Sequence, residues 1–164
     1  MWLVTLTLFA AVVRLPDPAL TIPSRVRPTD PAARALVADG IARSPTMAAL
    51  VADLNRRDLV IYVETGPDDG RTGSLQVLSR ADATTYVHVR VNPDRPFDAR
   101  IAALAHELTH ALEIARSRPV ATDTELAAMY RRVGYTCGKA AETGEAVLVE
   151  RRVLADLVRQ RPAR

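Results

Sequence analysis

A chain of 164 residues with 48% hydrophobic and 25% charged residues can bury one core without covalent or metal staples, and its composition is that of an ordinary globular domain. The single cysteine, Cys137, excludes an intramolecular disulfide and any cysteine-rich zinc module. The net charge of +3 comes from scattered arginines interspersed with acids, not from a dense basic run with aromatics, which argues against nucleic-acid binding.

Residues 1–13 are almost wholly apolar. The run is too short for an ordinary membrane-spanning helix, and no other segment calls for an integral span. Its length suits the apolar region of a secretory signal. No Lys or Arg precedes it and no clear A-x-A site follows it. The expectation is an export signal over about residues 1–20, ahead of a single domain over residues 21–164. That implies a secreted, periplasmic or envelope protein, with a cytoplasmic one as the alternative. Pro16, Pro18, Pro23, Pro28 and Pro31 make residues 14–31 an extended linker.

Asp30 can cap a helix with Pro31 at its first position, running to about Asp39-Gly40. Ser44-Pro45 repeats the start signal, and Met47, Leu50, Val51 and Leu54 then follow helical spacing up to Asn55. Leu59–Val63 is a continuous β-branched run and reads as a buried strand. Residues 66–70 form a turn. Strands follow over about Gly73–Leu78 and Thr85–Val91, joined by a hairpin connection at Ala81-Asp82-Ala83. In the second of these, Val87, Val89 and Val91 alternate with Tyr86, His88 and Arg90, so His88 reads as a strand-face residue rather than a ligand. Residues 92–96 break the chain, and Asp98 stands near the start of the next helix.

That helix carries the chemistry. Residues 101–115 contain no Gly or Pro and are rich in Ala and Leu, and Ile101, Leu104, Leu108, Leu112 and Ala115 form one apolar stripe. His106-Glu107-Leu108-Thr109-His110 lies within it and reads HExxH. Its two imidazoles, one turn apart, can grip one zinc ion, and Glu107 beside them can take a proton from water. A chance HExxH in such a chain has a probability well below about 1 in 100, and two of the three histidines lie here. A metal site is therefore favoured over two surface histidines.

Ser117-Arg118-Pro119 ends the helix. Thr122 or Asp123 can cap another, through Leu126, Met129, Tyr130 and Val133, closed by Gly134. Residues 135–141 read as a loop, and Glu142 to about Val158 as a last helix. A catalytic zinc usually has a third protein ligand. Position 116 is Arg, so no third histidine follows at the spacing of six, and the donor should be a carboxylate. Glu142 ranks first because a separate antiparallel helix can approach the metal from the side. Glu125 ranks second. Glu113, on nearly the same face as His110, reads as a residue that orients a ligand. Glu145 and Glu150 read as solvent-facing.

His106-Glu107-Leu108-Thr109-His110 followed by a later helix with Glu142 resembles the gluzincin branch of the zincin metallopeptidases, in a very small form. Over about residues 100–150 the surround is also similar to a group of small bacterial HExxH proteins that often carry an N-terminal signal. The resemblance leaves out the extra C-terminal helical domain of larger gluzincins. It implies an α+β, zincin-like fold, with a small mixed or antiparallel sheet of about three strands, the HExxH helix and further C-terminal helices. It also implies an edge strand that pairs with an extended peptide, for which Thr85–Val91 is the candidate. The expected function is zinc-dependent hydrolysis of a peptide or protein substrate. His106, His110 and Glu142 would hold Zn²⁺, Glu107 would act as general base, and Tyr130 or Tyr135, or Arg131 or Arg132, would stabilise the oxyanion. The alternatives are a non-catalytic metal-binding or interaction module, against which the intact Glu107 argues, and an antitoxin-type regulatory zincin.

Overall fold

Two cap-and-proline pairs start the helical part of the chain. In the computed structural model, which describes residues 24–67, 70–117, 119–133, 135–137 and 140–160 and no side chain between 133 and 141, Asp30 caps α1 (Pro31–Arg43) by accepting from the Ala33 N–H at 2.8 Å. Its other oxygen accepts from the Thr65 N–H at 2.8 Å. One carboxylate thus ties the helix start to the end of a strand. Ser44 caps α2 (Pro45–Leu54) in the same way. α1 runs through Gly40 rather than stopping there. A Cβ at position 40 would lie 3.0 Å from Ile101 Cγ2 and 3.2 Å from Met47 Cγ, so this glycine serves close helix packing and not termination.

The sheet has four strands, one more than the sequence pattern calls for. The addition is β1 (Val26–Pro28), inside the stretch expected to be linker. Its backbone pairs in parallel with β2 (Leu59–Thr65), and an edge position tolerates its proline. β3 (Gly73–Ala81) and β4 (Thr84–Val91) form the expected hairpin, turned at Asp82 with φ of +51°. The strand order is β1-β2-β4-β3, with β2 and β4 parallel. The expected edge strand, Thr85–Val91, is therefore interior, and β3 is the edge. The side chains explain the exchange. β4 presents Thr85, Val87, Val89 and Val91 to the core, all buried, whereas β3 is largely exposed and carries Ser74, Gln76, Ser79 and Arg80. The continuously buried face takes the slot with neighbours on both sides.

α1 and α3 (Phe97–Arg116) lie against one face of this sheet, and α2 and α5 (Gly144–Arg159) pack on the far side of α3. Because α3 is covered from both sides, every residue from Ile101 to Leu112 is buried. α4 (Asp123–Val133) is followed by a small hairpin of β5 (Tyr135–Cys137) and β6 (Ala140–Glu142), where a loop was expected. Ser44 and Asp156 lock α2 to α5. The Ser44 hydroxyl and the Thr46 N–H donate to Asp156 Oδ2 at 2.7 and 3.1 Å. The architecture is mixed α and β. Among the described residues no single helix is long and apolar enough to cross a membrane. The expected export segment, residues 1–20, lies outside the described residues.

Candidate metal centre

His106 and His110 leave α3 one turn apart, as the motif requires, and converge through the same nitrogen. Their Nε2 atoms are 3.1 Å apart, and Glu142 Oε2 lies 3.3 Å from His106 Nε2. The ligand atoms of this trio all fall within 4.8 Å of one another. Glu142 is the last residue of β6 and not part of the final helix as expected. The β5–β6 hairpin brings the carboxylate in, and α5 begins two residues later.

The outward nitrogens identify the chemistry. His106 Nδ1 lies 3.0 Å from Glu150 Oε2, and His110 Nδ1 lies 2.9 Å from Glu113 Oε2. Ionised carboxylates only accept, so each Nδ1 carries a proton, and in the neutral ring that binds a metal each Nε2 is left with a lone pair. Two such lone pairs and a carboxylate then face one another in a largely buried space, an arrangement that calls for a cation. The 3.1 Å nitrogen separation is close to the roughly 3.3 Å that bonds of about 2.0–2.1 Å make at a tetrahedral angle. The donor set of two imidazoles and one carboxylate therefore fits a divalent zinc-type ion.

Glu150 corrects the expectation that it faces solvent. Ala146, Val153 and Leu157 are its buried neighbours along α5, so it interrupts an apolar stripe, a signal legible in the sequence. Its hydrogen bond to His106 outweighs partial burial and holds its carboxyl below the ordinary value. For His106, burial disfavours the charged form. The Glu150 bond and the charges of Glu107, Glu142 and Glu150 outweigh burial and raise its pKa. Glu113 does more than orient His110. Its Oε1 accepts from Thr143 Oγ1 at 2.5 Å, and Thr143 is both the cap of α5 and the residue after Glu142. One carboxylate thus links the second histidine to the segment bearing the third donor.

Glu107 is buried beneath the start of β3. A Cβ at Gly73 would lie 3.1 Å from Glu107 Cγ and 3.2 Å from its Oε1, so glycine is needed for the strand to pass this close. Tyr130 on α4 places its ring 5.1 Å from that of His110. Its hydroxyl is buried and has no hydrogen-bond partner among the described residues. Burial, then the charges of Glu113, Glu107 and Glu142, push its pKa well up, so it remains a proton donor. Tyr130, Glu107 and the trio share a cleft of about 610 Å³ walled by β3, α4 and α5.

Other candidates are not brought there. Glu125 closes a capping box, accepting from the Ala121 and Thr122 N–H groups while its own N–H donates to Thr122 Oγ1. His88 lies 2.9 Å from Glu64 on the sheet face away from α3. Asp98 pairs with Arg43, Glu145 pairs with Arg116, and Arg131 and Arg132 are exposed on α4. Tyr135 stands opposite Glu142 in the hairpin register, but its side chain and that of Cys137 lie outside the described residues. In comparisons with protein-family models, with curated proteins and with solved structures, nothing matches this chain.

Proposed function

We propose that this chain is a small zinc-dependent peptidase of the zincin type, gluzincin-like in its ligand set, with His106, His110 and Glu142 holding the ion. The observation that carries the reading is the convergence of two Nε2 lone pairs and a carboxylate while both Nδ1 atoms are held by Glu150 and Glu113. Bound there, zinc supplies Lewis acidity toward a carbonyl and makes water more acidic. Glu107 takes the proton from the attacking water and returns it to the leaving amine. The Tyr130 hydroxyl donates to the oxyanion that develops on the scissile carbonyl, which gives the buried phenol its partner. Export to the envelope or medium belongs to the same proposal.

The test is zinc content together with peptide hydrolysis, for wild type, Glu142→Ala and Glu107→Gln. About one zinc per wild-type chain is expected. Glu142→Ala should lose it, whereas Glu107→Gln should keep it and lose at least about 100-fold in hydrolysis. Zinc retained by an inactive wild type would make the centre a binding module. No metal uptake at all would refute the site.

A further inference from the structure

Among the described residues, the edge of β3 is open at one end of the cleft and occupied at the other. The Asn92 N–H donates to Thr72 O across the ladder at 3.1 Å. In the register that follows, Ser74 and Gln76 turn their backbone groups toward β4, and Gly73, Leu75 and Val77 turn theirs outward. At Val77 the outward N–H is already used, because it donates to Asp123 Oδ1 at 3.0 Å. Asp123 is the first residue of α4, so the helix start closes the strand edge there. Gly73, Leu75 and Asp123 all line the cleft that holds Glu107 and the trio.

An extended peptide added to this edge can therefore pair at Gly73 and Leu75 and must end near Val77. Antiparallel pairing, the more stable arrangement, sends its amino end toward Asp123 and its carboxyl end out past Gly73. Charge selects the same direction. Asp123 Oδ2 has no hydrogen bond among the described residues, and it would attract an ammonium and repel a carboxylate. Asp123 and Glu125 place two acids in the first turn of α4, more than the half-unit positive charge of a helix start. Gly73, above Glu107, lies four residues from Val77, roughly 13 Å at about 3.3 Å per residue. That length holds about two to four residues between the blind end and the base.

We propose that the cleft takes peptides by their free amino terminus, with Asp123 binding the terminal ammonium and the Gly73–Leu75 edge pairing with the chain behind it. Hydrolysis then removes a short amino-terminal fragment of about two to four residues. One water is consumed: its hydroxyl goes to the acyl carbon, the C–N bond breaks, and the proton passes to the new amine. This specificity rests on the peptidase reading above.

The test uses matched peptides with free and acetylated amino ends. Products of the zinc-supplied wild type are mapped by mass spectrometry, and binding to zinc-supplied Glu107→Gln is measured by fluorescence anisotropy. A preference of about tenfold or more for the free end is expected in both, with cuts confined to the first few bonds. Asp123→Asn, which keeps an acceptor for the Val77 N–H, should reduce the preference to about twofold while leaving the thermal melt in place. Equal use of acetylated peptides, or cuts far inside the chain, overturns terminus recognition and leaves the peptidase reading. Free-end preference in binding without hydrolysis of any peptide overturns the peptidase reading instead. No binding and no hydrolysis overturn both.

Discussion

Glu113→Gln should weaken zinc binding more than the same change at Glu150. Loss of one group orienting a metal ligand typically costs about 10- to 100-fold in affinity. The Glu150 side chain is 36% exposed and holds one ligand, His106, so the low end applies, about tenfold or 1.4 kcal/mol. The Glu113 side chain is 11% exposed. It holds His110 Nδ1 through one oxygen and, through the other, Thr143 beside Glu142. A glutamine can keep only one of those acceptors and turns an N–H₂ donor toward the other donor. Whichever donor the amide faces, the link between His110 and the Glu142 segment is broken, and the upper end applies, about 100-fold or 2.7 kcal/mol. Competition for zinc against a chromophoric chelator at fixed pH measures both constants, and thermal melts of the metal-free variants separate affinity from folding. An equal or larger loss at Glu150, or no loss at either position, would refute the argument that Glu113 couples two ligands.

Three other perturbations follow from the geometry. Gly73→Ala should push Glu107 by a few tenths of an ångström, lowering hydrolysis about tenfold while zinc affinity stays within about twofold; a parallel loss of zinc would show that the contact acts elsewhere. Tyr130→Phe removes a buried hydroxyl without a described partner. Denaturant unfolding should show stability unchanged or raised by about 1 kcal/mol, with hydrolysis reduced; a destabilised variant would mean the hydroxyl is bonded. Asp156→Ala should cost about 2–3 kcal/mol, because it strips Ser44 of its buried partner and α2 of a charge at its start. Burial raises the Asp156 pKa, but the Ser44 and Thr46 bonds outweigh it and bring it below the ordinary 3.8. Its contribution is therefore present above about pH 4 and is lost as pH falls through the lowered value. The variant should show a shallower acid transition by circular dichroism.

Local rules were legible wherever a residue and its near neighbours decide the outcome. Asp30-Pro31 and Ser44-Pro45 start helices because a side-chain acceptor and a fixed φ act within one turn. The alternation in Thr84–Val91 gives one core face, and helical spacing alone sets His106 beside His110. Glu142 lies beside the two imidazoles, as its rank among the carboxylates predicts, but a hairpin and not a helix delivers it. Glu150 is legible as an acid within the α5 stripe, between Ala146 and Val153.

HExxH and its helical setting by themselves determined that two imidazoles and a base would share one helix, because that geometry repeats every turn. Only the tertiary structure decided which carboxylates meet them. Glu142, Glu150 and Thr143 reach the cluster from 30 to 44 residues away through the packing of α5 on α3 and the closing of a small hairpin. Strand order was likewise a global outcome. β4 sits inside the sheet because the other strands leave its buried face nowhere better to go, and that competition has no expression within any single segment.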